Sequence, residues 1–338
     1  MGTYILMLFF VALLSFLAAA LSGKVIIPFL RRLHIGQTIS EYVKEHQSKA
    51  NTPTIGGLIF IIPSVILTLA AAALLPFAGF SIDLDSWKRL LCSLVMVLAL
   101  TAVGFLDDYI KVVKKRNVGL TEIQKTLLQA IIILVYLLSL SLFNITTTML
   151  WIPFTEESVS LGVFWYPVMF VLIYLTVNAV NFTDGIDGLC ASVTFVTLCF
   201  FLPVTFLMGT EEHSVLAAAT AGGLLGFLVW NFYPAKVFMG DTGSMFLGGV
   251  FVALAFVINM PLIMLPVGII YVIEMASDLI QIGMIKLTKG KKKVFKMAPI
   301  HHHYQLSGWS EIRIVITFSV ITLLFCALSF AWFAFAYL

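Results

Sequence analysis

Charge is what this chain has least of. Only 11 % of its 338 residues are Asp, Glu, Lys or Arg, while 61 % are hydrophobic; soluble domains hold about 25 % and about 45–50 % respectively. So little charge cannot solvate the surface of a soluble protein this long, which excludes a water-soluble enzyme, and no nucleic-acid partner is expected. Cysteine is scarce too. Cys92, Cys190, Cys199 and Cys326 lie in or beside apolar runs and lack metal-ligand spacing, so they point to packing and to neither zinc nor a disulfide framework. A P-loop, a Rossmann glycine fingerprint, an HExxH pair and a calcium loop are all missing. Internal repeats are absent, and low complexity is confined to Lys289-Gly290-Lys291-Lys292-Lys293, which suits a juxtamembrane anchor for anionic headgroups.

What is present is hydrophobic length. Crossing about 30 Å of hydrocarbon takes about 20 helical residues, and ten such runs lie near 4–22, 55–79, 89–106, 125–144, 162–181, 188–208, 214–232, 242–258, 262–285 and 313–337. The expected fold is an all-α polytopic membrane protein of about ten transmembrane helices, forming one domain over residues 1–338. Residues 4–22 lack a basic flank and a cleavage site, and read as a first span and not a signal peptide. Residues 145–161 carry β-prone stretches around Thr155–Ser158, consistent with a short external hairpin.

The charges that exist are sorted by side. All but two of the 20 basic residues lie in the odd-numbered connections or at their edges; Lys88 and Arg89 are the exceptions. The positive-inside rule then puts the odd connections in the cytoplasm and both termini outside. Six of the 17 acids also fall beside cytoplasmic ends: Asp107, Asp108, Glu122, Asp184, Asp187 and Asp241. A carboxylate at a hydrocarbon boundary loses hydration and persists where a cation, metal or substrate compensates it. Glu122 has no polar context and reads as a solvated loop residue. The ninth run holds Glu274 and Asp278 on one helical face, suited to a hydrated groove, a helix break or a projecting helix.

Four segments carry chemistry. In Phe105-Leu106-Asp107-Asp108-Tyr109-Ile110-Lys111, adjacent aspartates can share a divalent cation, or one can act while the other stays charged; Lys111 follows one turn later. The plain alternative is a solvated helix terminus. In Asn178-Ala-Val-Asn181-Phe-Thr-Asp184-Gly-Ile-Asp187-Gly188, polar groups recur every three residues and glycines permit a turn close to a ligand. Such an array can read the edge of a base or sugar. In Phe238-Met-Gly240-Asp241-Thr242-Gly243-Ser244, a carboxylate precedes an apolar helix, suited to Mg²⁺ or to a plain N-cap. His301-His302-His303 cannot all face one zinc from a regular helix, and in a loop can donate to phosphate oxygens.

These segments together resemble the polyprenyl-phosphate N-acetylhexosamine-1-phosphate transferase superfamily. The Ala298-Pro299-Ile300-His301-His302-His303 run, Gly308-Trp309 and Lys49-Ala-Asn-Thr52-Pro53-Thr54 resemble its phospho-N-acetylmuramoyl-pentapeptide transferase branch. The resemblance covers nearly the whole chain. It implies a bacterial cytoplasmic-membrane enzyme with a cytoplasmic-face, Mg²⁺-dependent site and a homodimeric assembly. The implied reaction moves phospho-MurNAc-pentapeptide from UDP-MurNAc-pentapeptide to undecaprenyl phosphate, giving lipid I and UMP for peptidoglycan synthesis. By matched positions it implies Asp241 as the metal ligand, with Asp107 and Asp108 catalytic. It puts Asn181, Asp184, Asp187 and a stacking Phe238 at the uridine. Lys49, Thr54, Lys111, Lys125, Asn178, Asn231, His301, His302 and His303 would surround the phosphates and sugar. Three positions depart from the family pattern: Asn51 replaces glycine, Ile55 replaces methionine, and Asp278 stands where an apolar residue is usual. Competing readings are a polyprenyl-phosphate GlcNAc-1-phosphate transferase and a cation-coupled transporter using Glu274 and Asp278.

Overall fold

A backbone in hydrocarbon has no water to bond, so long apolar runs fold as helices. The structure, a computed structural model, describes residues 2–32, 52–80, 82–114, 118–155 and 157–337. Its helices are α1 (Gly2–Arg32), α2 (Leu58–Leu74), α3 (Leu84–Val113), α4 (Glu122–Leu142), α5 (Trp165–Thr183), α6 (Leu189–Leu207), α7 (Glu211–Asn231), α8 (Gly240–Val257), α9 (Met264–Val267), α10 (Ile269–Leu287), α11 (Ile300–Gln305) and α12 (Glu311–Tyr337). Among the described residues nine helices, α1–α8 and α12, are long and apolar enough to cross a membrane; counting the bent pair α9–α10 as one span makes ten. The chain is an all-α polytopic membrane protein. Two short strands, β1 (Met149–Trp151) and β2 (Ser158–Ser160), pair antiparallel with Met149 opposite Ser160.

Helix α8 is the hub. Its membrane window is 94 % buried, against 17 % for α1, so α8 is apolar on all sides while α1 turns most of its surface outward. Around α8 pack α2, α3, α5, α6 and α7, and α1 covers α7 and α2. Phe246 meets Phe60 of α2, and Phe256 meets Trp165 of α5, at 5.8 and 6.0 Å between ring centroids. Phe9, Val25, Ile66, Val95, Ile131 and Leu324 remain exposed on the outer helices, as expected of surfaces facing lipid.

Two helices depart from the apolar runs in ways that matter for the site. The run 89–106 ends before Asp107, yet α3 continues to Val113. With 30 residues it is roughly 45 Å long at about 1.5 Å per residue, longer than the hydrocarbon slab. Asp107 and Asp108 therefore sit inside a projecting helix and not at its terminus. The run 262–285 is likewise no straight crossing, because Pro261–Val267 and Ile269–Leu287 meet at 84°. Pro266 supplies no N–H to the ladder and Gly268 follows at the junction, which accounts for the break. Beyond it, α10 turns Glu274 inward and exposes Leu279 and Ile280, while Asp278 is half-buried.

Candidate active site

The C-terminal ends of α3, α5 and α7 and the N-terminal ends of α4 and α8 meet at one end of the bundle, opposite the β1–β2 ribbon, and the first half of α10 reaches the same region through Glu274 and His301. There the aspartates from separate helices converge. Asp107, Asp108 and Asp241 each offer a carboxylate oxygen, all within 4.8 Å of one another. Close approach of the two backbones allows this. Gly104 on α3 faces the Asp241 carbonyl, and any Cβ at that position would collide with it.

The three carboxylates have different partners. Asp108 is buried and accepts from the backbone N–H of Asp241 (3.2 Å), the N–H of Thr242 (2.9 Å) and the Thr242 hydroxyl (2.7 Å). It caps the N-terminus of α8 from a neighbouring helix, complementing that end's partial positive charge. Gly240 enters α8 at φ +72°, and a Cβ there would run into Asp108 Oδ2 and Thr54 Oγ1. Asp107 accepts from the Leu120 N–H at 2.9 Å and pairs with Lys111 at 2.6 Å. Asp241, expected in a loop, lies in the first turn of α8. Its Oδ2 is 2.7 Å from Lys125 and 3.4 Å from Lys111, and its Oδ1 accepts from Asn181 Nδ2 at 3.1 Å.

This set of groups suits a divalent cation. Three carboxylates against two ammonium groups leave one negative charge in excess, and hard oxygen donors are what Mg²⁺ binds. Asp108 Oδ1 and Asp241 Oδ1 each accept one of these hydrogen bonds and keep a lone pair for an ion, whereas Oδ2 of each already takes two donors.

The asparagine and aspartate array divides. Asn181 also donates to Ser244 Oγ at 2.7 Å, tying α5 to α8. Asn178 pairs instead with Gln129 of α4, donating to its Oε1 at 2.8 Å. Asn231 bridges two loops, accepting from the Gly188 N–H at 3.1 Å and donating to the Val237 carbonyl at 3.0 Å. Asp187 accepts from the Ala235 N–H at 2.9 Å, while its own N–H donates to Glu311 at 3.0 Å. Asp184 ends α5 in the turn before α6, where burial and the negative charges of Asp241, Asp108 and Asp187 hold its carboxyl well above the usual carboxylate range.

Phe238 is half-buried beside this turn; its N–H donates to the Pro53 carbonyl at 2.8 Å, and its carbonyl accepts from Gly56 at 2.9 Å. The buried Thr54 hydroxyl has no partner among the described residues. Lys49 lies outside the described residues. The histidines, expected in a loop, occupy α11 and take separate partners: His301 Nδ1 meets Glu274 at 3.0 Å, His302 Nδ1 meets Gln305 at 2.8 Å, and His303 Nδ1 accepts from the Lys296 N–H at 3.1 Å. An apolar cavity of about 210 Å³ opens at the helix break, lined by Leu172, Ala179, Phe251, Gly268, Met275 and Leu279 among others.

A family model described as glycosyl transferase family 4 matches residues 90–259, the stretch that carries Asp107, Asp108 and Asp241. The chain is 44 % identical over 328 residues to a phospho-N-acetylmuramoyl-pentapeptide-transferase of Acetivibrio thermocellus, covering 95 % of this chain and 94 % of that one. Proteins of the same name from Clostridium perfringens strain SM101 and Halalkalibacterium halodurans are 42 % and 41 % identical, each over 94 % of both chains. The chain belongs to the phospho-N-acetylmuramoyl-pentapeptide-transferase family. It is a membrane-embedded transferase, a multi-pass protein of the bacterial cytoplasmic membrane.

The site is gathered from segments far apart in sequence, and several contributors escape a motif reading. Thr242 and Ser244 sit within a flagged segment, yet their service to Asp108 and Asn181 emerges only from the packing. Gln129 is a buried amide inside the apolar α4, and that polarity within a span was the available signal.

Proposed function

We propose that this chain transfers phospho-MurNAc-pentapeptide from UDP-MurNAc-pentapeptide to undecaprenyl phosphate, yielding lipid I and UMP. Family membership supports the reaction class. The carrying observation is the trio Asp107, Asp108 and Asp241 flanked by Lys111 and Lys125.

Both substrates are anions, so like-charge repulsion opposes their meeting. Asp241, with Asp107 and Asp108 beside it, would hold Mg²⁺; bound there, the ion would neutralise charge on the diphosphate and polarise it. Lys111 and Lys125 donate to phosphate oxygens and offset the charge that develops in the transition state. Asp107 orients the lipid phosphate or takes its proton, and an oxygen of that phosphate attacks the β-phosphorus. As the new P–O bond forms, the bond from the β-phosphorus to the bridging oxygen breaks and UMP leaves with its electrons. Asp108 positions Asp241 through the start of α8. Asn181, Asp184, Asp187 and Phe238 form the uridine pocket. Thr54, His301, His302 and His303 lie toward the phosphates and sugar, where Lys49 would also act, whereas Asn178 ties α5 to α4 and Asn231 braces the turns from behind. The apolar cavity at the α9–α10 break receives the polyprenyl tail, and a site at the bilayer face explains why this transferase is embedded in lipid.

We also propose that the site and the odd connections are cytoplasmic, with both termini and the β1–β2 ribbon outside. The single domain is taken to work as a homodimer, which cross-linking in native membranes tests. Release of UMP from UDP-MurNAc-pentapeptide should require undecaprenyl phosphate and Mg²⁺, and should fall about 100-fold or more in Asp241→Ala. Full activity in that variant removes the metal assignment. Faster turnover of UDP-GlcNAc would favour the GlcNAc-1-phosphate reading.

A further inference from the structure

Behind His301 lies a buried acid, Glu274, that the reaction scheme does not use. Glu274 on α10 and His301 on α11 are both 0 % exposed, and Oε2 of one lies 3.0 Å from Nδ1 of the other. Each keeps one polar atom with no hydrogen-bond partner among the described residues, Glu274 Oε1 and His301 Nε2. A buried acid–histidine pair loses hydration on both sides and is weak evidence of added stability. An orphaned buried polar atom adds to that loss, because nothing replaces the water it gave up. A pair kept for packing alone would be expected to satisfy its atoms, so two orphans call for another explanation.

Direction supplies one. His301 Nε2 points at Gly185, in the turn between Asp184 and Asp187, and fills the space that a side chain at 185 would take. The 84° break sends α10 along the course that carries Glu274 behind this imidazole. A carboxylate on Nδ1 keeps a proton there, which fixes the ring's orientation and leaves Nε2 as the atom facing the turn. We propose that Glu274 is a positioning residue, holding His301 so that Nε2 accepts a hydrogen bond from a hydroxyl of the UDP-linked substrate at the Asp184–Asp187 turn. This rests on the reading of that turn as part of the substrate site.

The test uses full-length protein in detergent and compares Glu274→Met, Glu274→Gln, His301→Ala and the double variant Glu274→Met/His301→Ala. Glu274→Met removes the acceptor at similar volume and should lower kcat/KM for the UDP-linked substrate about 10- to 100-fold, with KM for the lipid phosphate unchanged. Glu274→Gln retains an acceptor for Nδ1–H and should recover most of that loss. The double variant should be no worse than His301→Ala alone, because Glu274 acts through the ring. Should Glu274→Met fail to fold, Glu274→Asp, too short to reach Nδ1, carries the same expectation. Multiplying losses in the double variant, equal damage in Glu274→Gln, a matching rise in the lipid-phosphate KM, or full activity in His301→Ala each overturn the proposal. Failure of the parent chain to release UMP would instead mark failure of the transferase reading, before any variant is compared.

Discussion

The adjacent aspartates of α3 look interchangeable in the sequence, and their hydrogen bonds separate them. Asp108 takes three donors from the start of α8, so its carboxylate acts on the position of Asp241. Asp107 takes one backbone donor and one lysine, leaving it the more available of the two for proton chemistry. In Asp108→Asn an amide NH₂ would face the N–H and O–H groups of residues 241 and 242, leaving a buried donor unpaired at a cost of about 1–3 kcal/mol. That variant should melt measurably lower in detergent as well as lose activity. Asp107→Asn keeps an oxygen for Leu120 and turns its NH₂ toward Lys111, whose partly exposed side chain can swing away, so it should melt close to the parent, while UMP release drops roughly 100- to 10,000-fold. Parent-like melting of Asp108→Asn would refute its capping role. The residue types and spacing were legible in the sequence, but this division of labour was not. It depends on which oxygen meets which N–H across 133 and 134 residues of chain.

At the scale of elements, hydropathy reads the membrane slab and not the helix. It located nearly every span, yet it ended the third at 106 where α3 runs to Val113, and it averaged over the 84° break at Gly268. Pro266 and Gly268 were visible as breakers, but a bend angle depends on the neighbours that the two halves find. The His triplet reads from sequence as donors presented by a loop; six residues of helix form there against α10 and α12. Helix contact also sets the geometry of the carboxylate trio. Because a Cβ at Gly104 would strike the Asp241 carbonyl, Gly104→Val forces α3 and α8 apart and pulls Asp107 and Asp108 from Asp241. Activity should fall at least about 10-fold, since misplacing reacting groups by about 1 Å can cost 100-fold. Gly283→Ala on α10 meets nothing within 4 Å and should be neutral or gain up to about 1 kcal/mol. Equal activities of these two glycine variants would show that the α3–α8 approach does not set the site.

Across the whole molecule, scarcity of charge is what makes its distribution informative. The bundle end that collects the aspartates is also the end where Lys114, Lys125, Lys236, Lys286, Lys296 and Arg313 emerge, while the β1–β2 ribbon terminates the other. Basic residues near span ends favour the cytoplasmic side, and a nucleotide-linked substrate is met there, so charge bias and chemistry select the same face. The proposed orientation has a direct check in a cysteine-free background. A Ser160→Cys substitution lies on the exposed strand β2, and Lys292→Cys lies in the exposed basic connection after α10. A membrane-impermeant maleimide should label the first in intact cells, and the second only in inside-out vesicles. The reverse pattern would place the carboxylate trio outside, away from any cytoplasmic nucleotide, and would overturn the orientation and the proposed access of substrate together. Labelling of both positions from one side would mean that an even number of crossings separates the ribbon from the basic connection, against the five (α5, α6, α7, α8 and the α9–α10 pair) of the ten-span reading.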